Sequence, residues 1–357
     1  MDRLSAKMAD VAGSGQSRSV GRPVILALVA AVVVAIVLLW RTPASPGAPI
    51  ASGSAAVSSS PVATPSSTGS AGQSTSPPPS ATGSGSPASG APVGGLPPLR
   101  HVYVLIMENK EYGRVVGAQD APFLDELIDH SALATNYHAI THPSEPNYIA
   151  LVAGSTLGVR DDGVHDLSAP NLFDQVEAAG RSWAVFAENV PLDCFRGGDE
   201  ENGADGPGKY ARKHEPAISF TSISRNPPRC ARITNFSRFD PEAADFELIV
   251  PNLCHDTHDC PVSTGDDFLK GFVPRITGSP EFANSVLFIT WDEGSTNEGG
   301  GGHVALVAVS PLARPGGRAN DAANHYSLLR TVEDAWGLGC LAESCSAKNL
   351  AGLFAPR

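Results

Sequence analysis

The stretch His101-Val-Tyr-Val-Leu-Ile-Met107 is an unbroken apolar run that stops abruptly at Glu108-Asn109. A run this short, rich in residues that favour strands, reads as a buried strand rather than a helix. The same signature returns at Ser182-Trp-Ala-Val-Phe-Ala187, Glu247-Leu-Ile-Val250, Ser285-Val-Leu-Phe-Ile-Thr-Trp291 and His303-Val-Ala-Leu-Val-Ala-Val309. Between these runs lie segments with helical spacing: Phe123 to Asp129, Leu172 to Ala179 ending at Gly180, and Tyr326 to Trp336. Strands alternating with helices imply an α/β domain with a mostly parallel central sheet flanked by helices.

In such sheets ligands bind beyond the carboxyl ends of the strands. The first strand runs into Glu108-Asn109, the late strand into Asp292-Glu293-Gly294, and the strand at Glu247 into Pro251-Asn252 and then Asp256-Thr-His258-Asp259. These three polar clusters are expected on one edge of the sheet. Any one alone would pass for a solvated loop.

A fourth stretch, Thr141-His-Pro-Ser144-Glu-Pro-Asn147-Tyr148, precedes the apolar run Ile149 to Ala153 and Gly154. This reads as a helix start, with Pro146 tolerated in the first turn and Gly154 as the stop. A serine at a helix start can be a nucleophile, because backbone N–H groups and the helix dipole stabilise negative charge there. The plain alternative is that Ser144 only caps the helix.

The rest of the chain sets the context. It has 357 residues, 42% hydrophobic and 17% charged, with 36 Gly and 30 Pro. The formal net charge of -12 argues against a nucleic-acid partner. Residues 1–22 carry Arg3, Lys7, Arg18 and Arg22 and precede an apolar run from Pro23 to Trp40. A run of about 18 uncharged residues is long enough to span a bilayer, and the basic residues before it place the N-terminus in the cytoplasm. The reading is a single-pass anchor at 23–40 in the cell membrane, with a cleaved signal peptide and secretion as the alternative. Residues 41–96 are almost wholly Ser, Pro, Gly, Ala and Thr, a composition that cannot bury a core and reads as a disordered stalk. The folded domain is expected over residues 97–357.

All six cysteines lie in that domain. An even number outside the cytoplasm reads as disulfides. Short spacing makes Cys254–Cys260 and Cys340–Cys345 the natural local pairs and leaves Cys194 with Cys230, although sequence alone leaves other connectivities open. A zinc site from Cys254, His255, His258 and Cys260 is the rival, with its ligands crowded into one loop.

Taken in order, Met107-Glu108-Asn109-Lys110, His142 to Tyr148, Tyr210-Ala-Arg-Lys213-His214-Glu-Pro216, Pro251-Asn252 with Asp256 to Asp259, and Trp291 to Gly294 resemble the phosphoesterase family of bacterial phospholipases C and microbial acid phosphatases, within the alkaline phosphatase superfamily. The resemblance covers nearly the whole domain. It implies an alkaline-phosphatase-like fold and a phosphorylated hydroxyl intermediate. It makes Ser144 the nucleophile and a metal ligand, with Glu108, Asn109, Asp292 and Glu293 as the other ligands. His214 and His258 are implied around the phosphate and its leaving group, Asn147 as a donor to a phosphate oxygen, and Lys213 and His303 as substrate-binding groups. One departure stands at Glu215, where the family commonly has Asn.

The chemistry agrees. Phosphoryl transfer needs a nucleophile, charge compensation and in-line geometry, all of which a divalent cation assists. Carboxylates with an amide oxygen make a hard site that favours one calcium, magnesium or manganese ion. A histidine could protonate the leaving alkoxide. The expected function is therefore an extracytoplasmic metal-dependent phosphoesterase acting on a phosphorylated small molecule or lipid, most like acid phosphatases. A phospholipase C-type phosphodiesterase and a non-catalytic stalked binding module are the alternatives. A sulfatase is disfavoured, since no Cys-x-Pro-x-Arg pattern surrounds Ser144.

Overall fold

The computed structural model describes residues 94–201, 206 and 208–356. The anchor at 23–40 and nearly all of the stalk lie outside these residues, and among the described residues no helix is long and apolar enough to cross a membrane. All described residues belong to one compact unit, Thr82–Arg357.

Its centre is an eight-stranded sheet. In chain order the strands are β1 (Val102–Met107), β2 (Ala132–Ala134), β3 (Trp183–Ala187), β4 (Ile233–Thr234), β5 (Phe246–Val250), β6 (Val286–Trp291), β7 (Leu306–Val309) and β8 (Arg318–Ala319). Across the sheet they run β8-β2-β7-β6-β1-β5-β3-β4. Pairing is parallel except where β7 meets β6 and β2, so β7 alone runs against the rest. Every residue of β1, β3, β5 and β6 is buried, which is why these strands read as continuous apolar runs rather than as alternating ones. The run at His303 yields a shorter strand than expected. His303 instead makes an isolated bridge to His138, and the strand begins at Leu306.

Register decides where the site lies. Val102 pairs with Phe246 on one side of β1 and with Val286 on the other, and Met107 pairs with Trp291. The three strands therefore end level with one another. Two bonds continue the ladder past their ends, from the Asp292 N–H to the Met107 carbonyl at 3.0 Å and from the Glu108 N–H to the Asp256 carbonyl at 2.7 Å.

The longer helices are α1 (Pro122–His130), α2 (Ser144–Ala153), α3 (Leu172–Ala178), α4 (Val262–Thr277) and α5 (His325–Trp336). α4 has no counterpart among the helices expected from sequence. Gly265, Gly271 and Pro274 interrupt its pattern, and each is a poor helix former. It packs on α1 and supplies the cap that α1 lacks, since the Asp266 carboxylate accepts the Phe123 and Leu124 N–H groups at 3.0 and 2.7 Å. α5 opens with a capping box between Asn324 and Ser327. α2 ends at Gly154 as its sequence indicates, in the left-handed region with φ 67°.

The cysteines pair as Cys194–Cys230, Cys254–Cys260 and Cys340–Cys345. The rival zinc site falls, because both of its sulfurs are in a disulfide. The packed core also takes in Leu96, one residue before the domain start expected from sequence.

Candidate active site

Ser144 is the first residue of α2, and its side chain does not cap that helix; the N-cap residue is Pro143. The hydroxyl is buried and lies 3.1 Å from Glu108 Oε2 and 3.4 Å from Glu293 Oε1. One of these carboxylates ends β1 and the other follows β6, so the strand register delivers both to the same serine.

These acids are crowded. Glu108 is fully buried, and its pKa is pushed up to about 8 by burial, with bonds from Tyr148 and Asp292 and the Lys213 charge opposing the rise. Tyr148 donates its hydroxyl to Glu108 Oε1 at 2.7 Å. Asp292, also fully buried, is driven well above the carboxylate range by burial and by the charges of Glu108 and Glu293. Its Oδ1 accepts the Asn109 N–H at 3.2 Å, while Oδ2 is buried with no aligned hydrogen bond among the described residues. Asn109 adopts φ 58°, a left-handed conformation that Asn tolerates better than most residues. Burial raises Glu293 as well, against a 2.8 Å contact from His142 Nδ1.

His214 is buried between two acids, with Nε2 at 3.0 Å from Glu108 and Nδ1 at 3.4 Å from Asp256. Both are close charge contacts rather than aligned hydrogen bonds. Its ring stacks on Tyr148, with centroids 5.1 Å apart and planes 11° from parallel. Burial pushes Asp256 up to about 7, with His214 opposing. The same Asp256 accepts the His258 backbone N–H at 2.7 Å, and His258 Nδ1 lies 2.7 Å from Asp259. Burial lowers the His258 pKa, opposed by Asp259 and reinforced by His214 and Lys213.

A model of the Phosphoesterase family matches residues 117–339. The chain belongs to the phosphoesterase family. As a phosphoesterase it is a hydrolase of phosphate esters. It is 31% identical over 261 residues to a phosphatidylinositol-3-phosphatase of Mycobacterium tuberculosis, a match covering 71% of this chain and 82% of that one. A probable acid phosphatase of Kluyveromyces lactis is 30% identical, covering 67% of this chain and 59% of the relative. Among solved structures, an alkaline phosphatase superfamily protein from Vibrio parahaemolyticus aligns over 71% of each chain with 12% identity and a TM-score of 0.45.

In this phosphoesterase, Glu108, Asn109, Ser144, His214, Asp292 and Glu293 lie together, and Asp256 joins His258 to them. Two expected substrate contacts are placed otherwise. Asn147 is fully buried, and its Oδ1 accepts the Ile140 and Thr141 N–H groups at 2.9 and 3.1 Å while Nδ2 donates to the Thr141 and Pro143 carbonyls at 2.9 and 3.1 Å. Its amide holds the turn that presents Ser144, and no polar atom of it is left over for a phosphate. His303 stacks between Tyr112 and His138, at 4.5 and 5.0 Å, with Nε2 at 3.2 Å from the Thr135 carbonyl, and no contact joins it to the Ser144 network.

Sequence reasoning missed Tyr148, Asp256 and His142. Tyr148 stands four residues after Ser144, and that helical spacing, which puts both on one face, was its signal. The Glu215 departure is harmless here. Its carboxylate accepts the Ala217 and Ile218 N–H groups at 2.9 and 3.1 Å, bonds that a shorter amide oxygen could also accept.

Proposed function

We propose that this phosphoesterase is metal-dependent, works outside the cytoplasm and forms a phosphoserine on Ser144, in the manner of acid phosphatases. The observation that carries the reading is the Ser144 hydroxyl, buried between Glu108 and Glu293 at a helix start and not used as a cap.

Among the described residues, no group of three or more His, Cys, Asp and Glu side chains is arranged to hold a metal ion. The donor chemistry nonetheless suits a hard cation. Asp292 Oδ2 is buried with no aligned hydrogen bond among the described residues, and three mutually repelling carboxylates surround one hydroxyl. Glu108, Asn109, Ser144, Asp292 and Glu293 would hold one divalent cation, of which calcium, magnesium and manganese suit oxygen ligands best. When bound, such an ion lowers the pKa of the serine hydroxyl and neutralises charge on the phosphoryl group.

The chain's own residues do the rest. Ser144 Oγ passes its proton to the Glu108 carboxylate, 3.1 Å away, as it attacks phosphorus, and the ester oxygen leaves with a proton from protonated His258. Water then attacks the phosphoserine and gives a proton to His258, while the serine oxygen recovers its proton from Glu108 and phosphate departs. Lys213 supplies positive charge beside the phosphate; burial works against its ionisation, but Asp162, Glu108 and Asp199 outweigh that and hold its pKa up.

Phosphomonoesters of small molecules or lipid headgroups are the proposed substrates, in keeping with the names of the phosphatase relatives. Location outside the cytoplasm is supported by the three disulfides and by the apolar run at 23–40, proposed as the membrane anchor. Turnover of an aryl monoester, an aryl diester and a phospholipid, with and without added cation, tests the assignment. Ser144→Ala is expected to lower the rate at least about a thousandfold with the fold intact, since uncatalysed phosphate ester hydrolysis is extremely slow. Acid-quenched wild type should carry phosphate on Ser144 by mass spectrometry. Diester cleavage faster than monoester cleavage would move the assignment to a phosphodiesterase, and cation-independent turnover would remove the metal.

A further inference from the structure

Two donors beside Ser144 are already engaged by a carboxylate outside the acidic ring around the hydroxyl. Asp162 accepts the Glu145 backbone N–H at 3.0 Å through Oδ1 and the Lys213 ammonium at 3.0 Å through Oδ2. The Glu145 amide is one of few available at this helix start, because Pro143 gives α2 no side-chain cap and Pro146 has no N–H. The one carboxylate thus holds the Lys213 ammonium next to the amide of the residue that follows Ser144. A helix-start amide beside an ammonium is the donor pair that a phosphate oxygen takes.

We propose that Asp162 is a resident anion that holds these two donors until substrate displaces it. The inference rests on the phosphoesterase reading of the site and adds to it a residue that sets how tightly anions bind. Asp162 belongs to a surface turn. Asp161 accepts the Gly163 N–H at 2.9 Å and contacts His165 Nε2 at 2.9 Å within the same surface turn, and Val164 is 68% exposed. The following residues are anchored separately, by Arg212 Nη2 on the His165 carbonyl at 3.4 Å and by the Leu167 N–H on the Ser219 carbonyl at 2.7 Å. Withdrawal of Asp162 breaks its two inward bonds, while His165 keeps its 3.7 Å contact with the buried Glu145 carboxylate. While in place, its charge also opposes a phosphate.

A purely structural role makes the opposite forecast. If Asp162 only caps α2 from a distance, its loss weakens the helix and leaves phosphate affinity unchanged or poorer. The test is calorimetric titration of inorganic phosphate into the full chain in detergent with magnesium present, for wild type, Asp162→Asn, Asp162→Ala, Lys213→Ala and the Asp162→Ala/Lys213→Ala pair. The expected result is affinity about tenfold higher in both Asp162 variants, with that gain lost when Lys213 is also absent. Asp162→Asn keeps an oxygen for the Glu145 amide, so it decides the matter if Asp162→Ala fails to fold. Unchanged or weaker phosphate binding in a folded Asp162→Asn overturns the proposal, and so does an Asp162→Ala gain that persists without Lys213. Wild-type turnover measured alongside separates the failures: turnover with no gain in affinity sinks only the role of Asp162, whereas no turnover and no phosphate binding sink both readings.

Discussion

A serine hydroxyl has one proton, yet Ser144 faces two carboxylates, and those carboxylates also face each other and Asp292. Such crowding is expensive in a buried setting and is tolerated where chemistry requires it. Tyr148 steadies the arrangement through its bond to Glu108. Tyr148→Phe is expected to reduce kcat/KM by about tenfold, because a positioned charged hydrogen bond is worth about 1.5–3 kcal/mol; enzyme kinetics beside a thermal melt will show whether rate falls further than stability. A second buried acid serves as a control away from the site. Glu247 lies within β5, and burial pushes its pKa up to about 9, with the Ala244 N–H opposing. The folded state therefore holds that proton where the unfolded chain releases it, so stability falls as pH rises between the ordinary glutamate pKa and about 9. Glu247→Gln should flatten the fall, by up to about 1.4 kcal/mol per pH unit, in denaturant titrations at pH 5 and pH 8. The sequence made Glu108, Asp292 and Glu293 legible because each follows a strong strand signal. Asp256 and Asp162 sit in loops whose course no periodicity reveals.

At the scale of elements, α2 is fixed at both ends by features that read differently in sequence. Its start is held by Asn147 and Asp162, which reach across turns, and neither contact can be inferred from spacing. Its end was readable, since Gly154 alone among residues meets the need there. A Cβ at Gly154 would lie 2.0 Å from the Leu341 carbonyl oxygen, in a backbone region that side chains disfavour. Gly154→Ala is expected to destabilise the domain by about 2 kcal/mol or more, measured by chemical denaturation. Because Ser144 rides on the same helix, activity at a given temperature should fall with it. α4 went unread because two glycines and a proline mask a helix that packing on α1 nonetheless stabilises.

Across the whole molecule, the five longest strands, the order of motifs and the disulfide pairing favoured by spacing were accessible from the chain, whereas the short strands β2, β4 and β8, the register and the reversed β7 were not, since short pairings between segments far apart in sequence leave no local trace. Cation removal is expected to separate fold from charge balance. On the proposed reading, chelation leaves the carboxylates around Ser144 uncompensated, and saturating cation at about a hundred times its Kd should raise stability by about 2.7 kcal/mol. A scanning calorimetry series over cation concentration measures this. The register described for β1 carries a different consequence. Its two neighbours in the sheet bear the other acids, so the strands that build the site are the innermost ones, farthest from any fraying edge. Separating Glu108 from Asp292 and Glu293 must then part the middle of the sheet, and amide protons of residues 102–107 and 286–291 should exchange only through global unfolding. The acidic cluster and the central sheet would come apart in a single cooperative step.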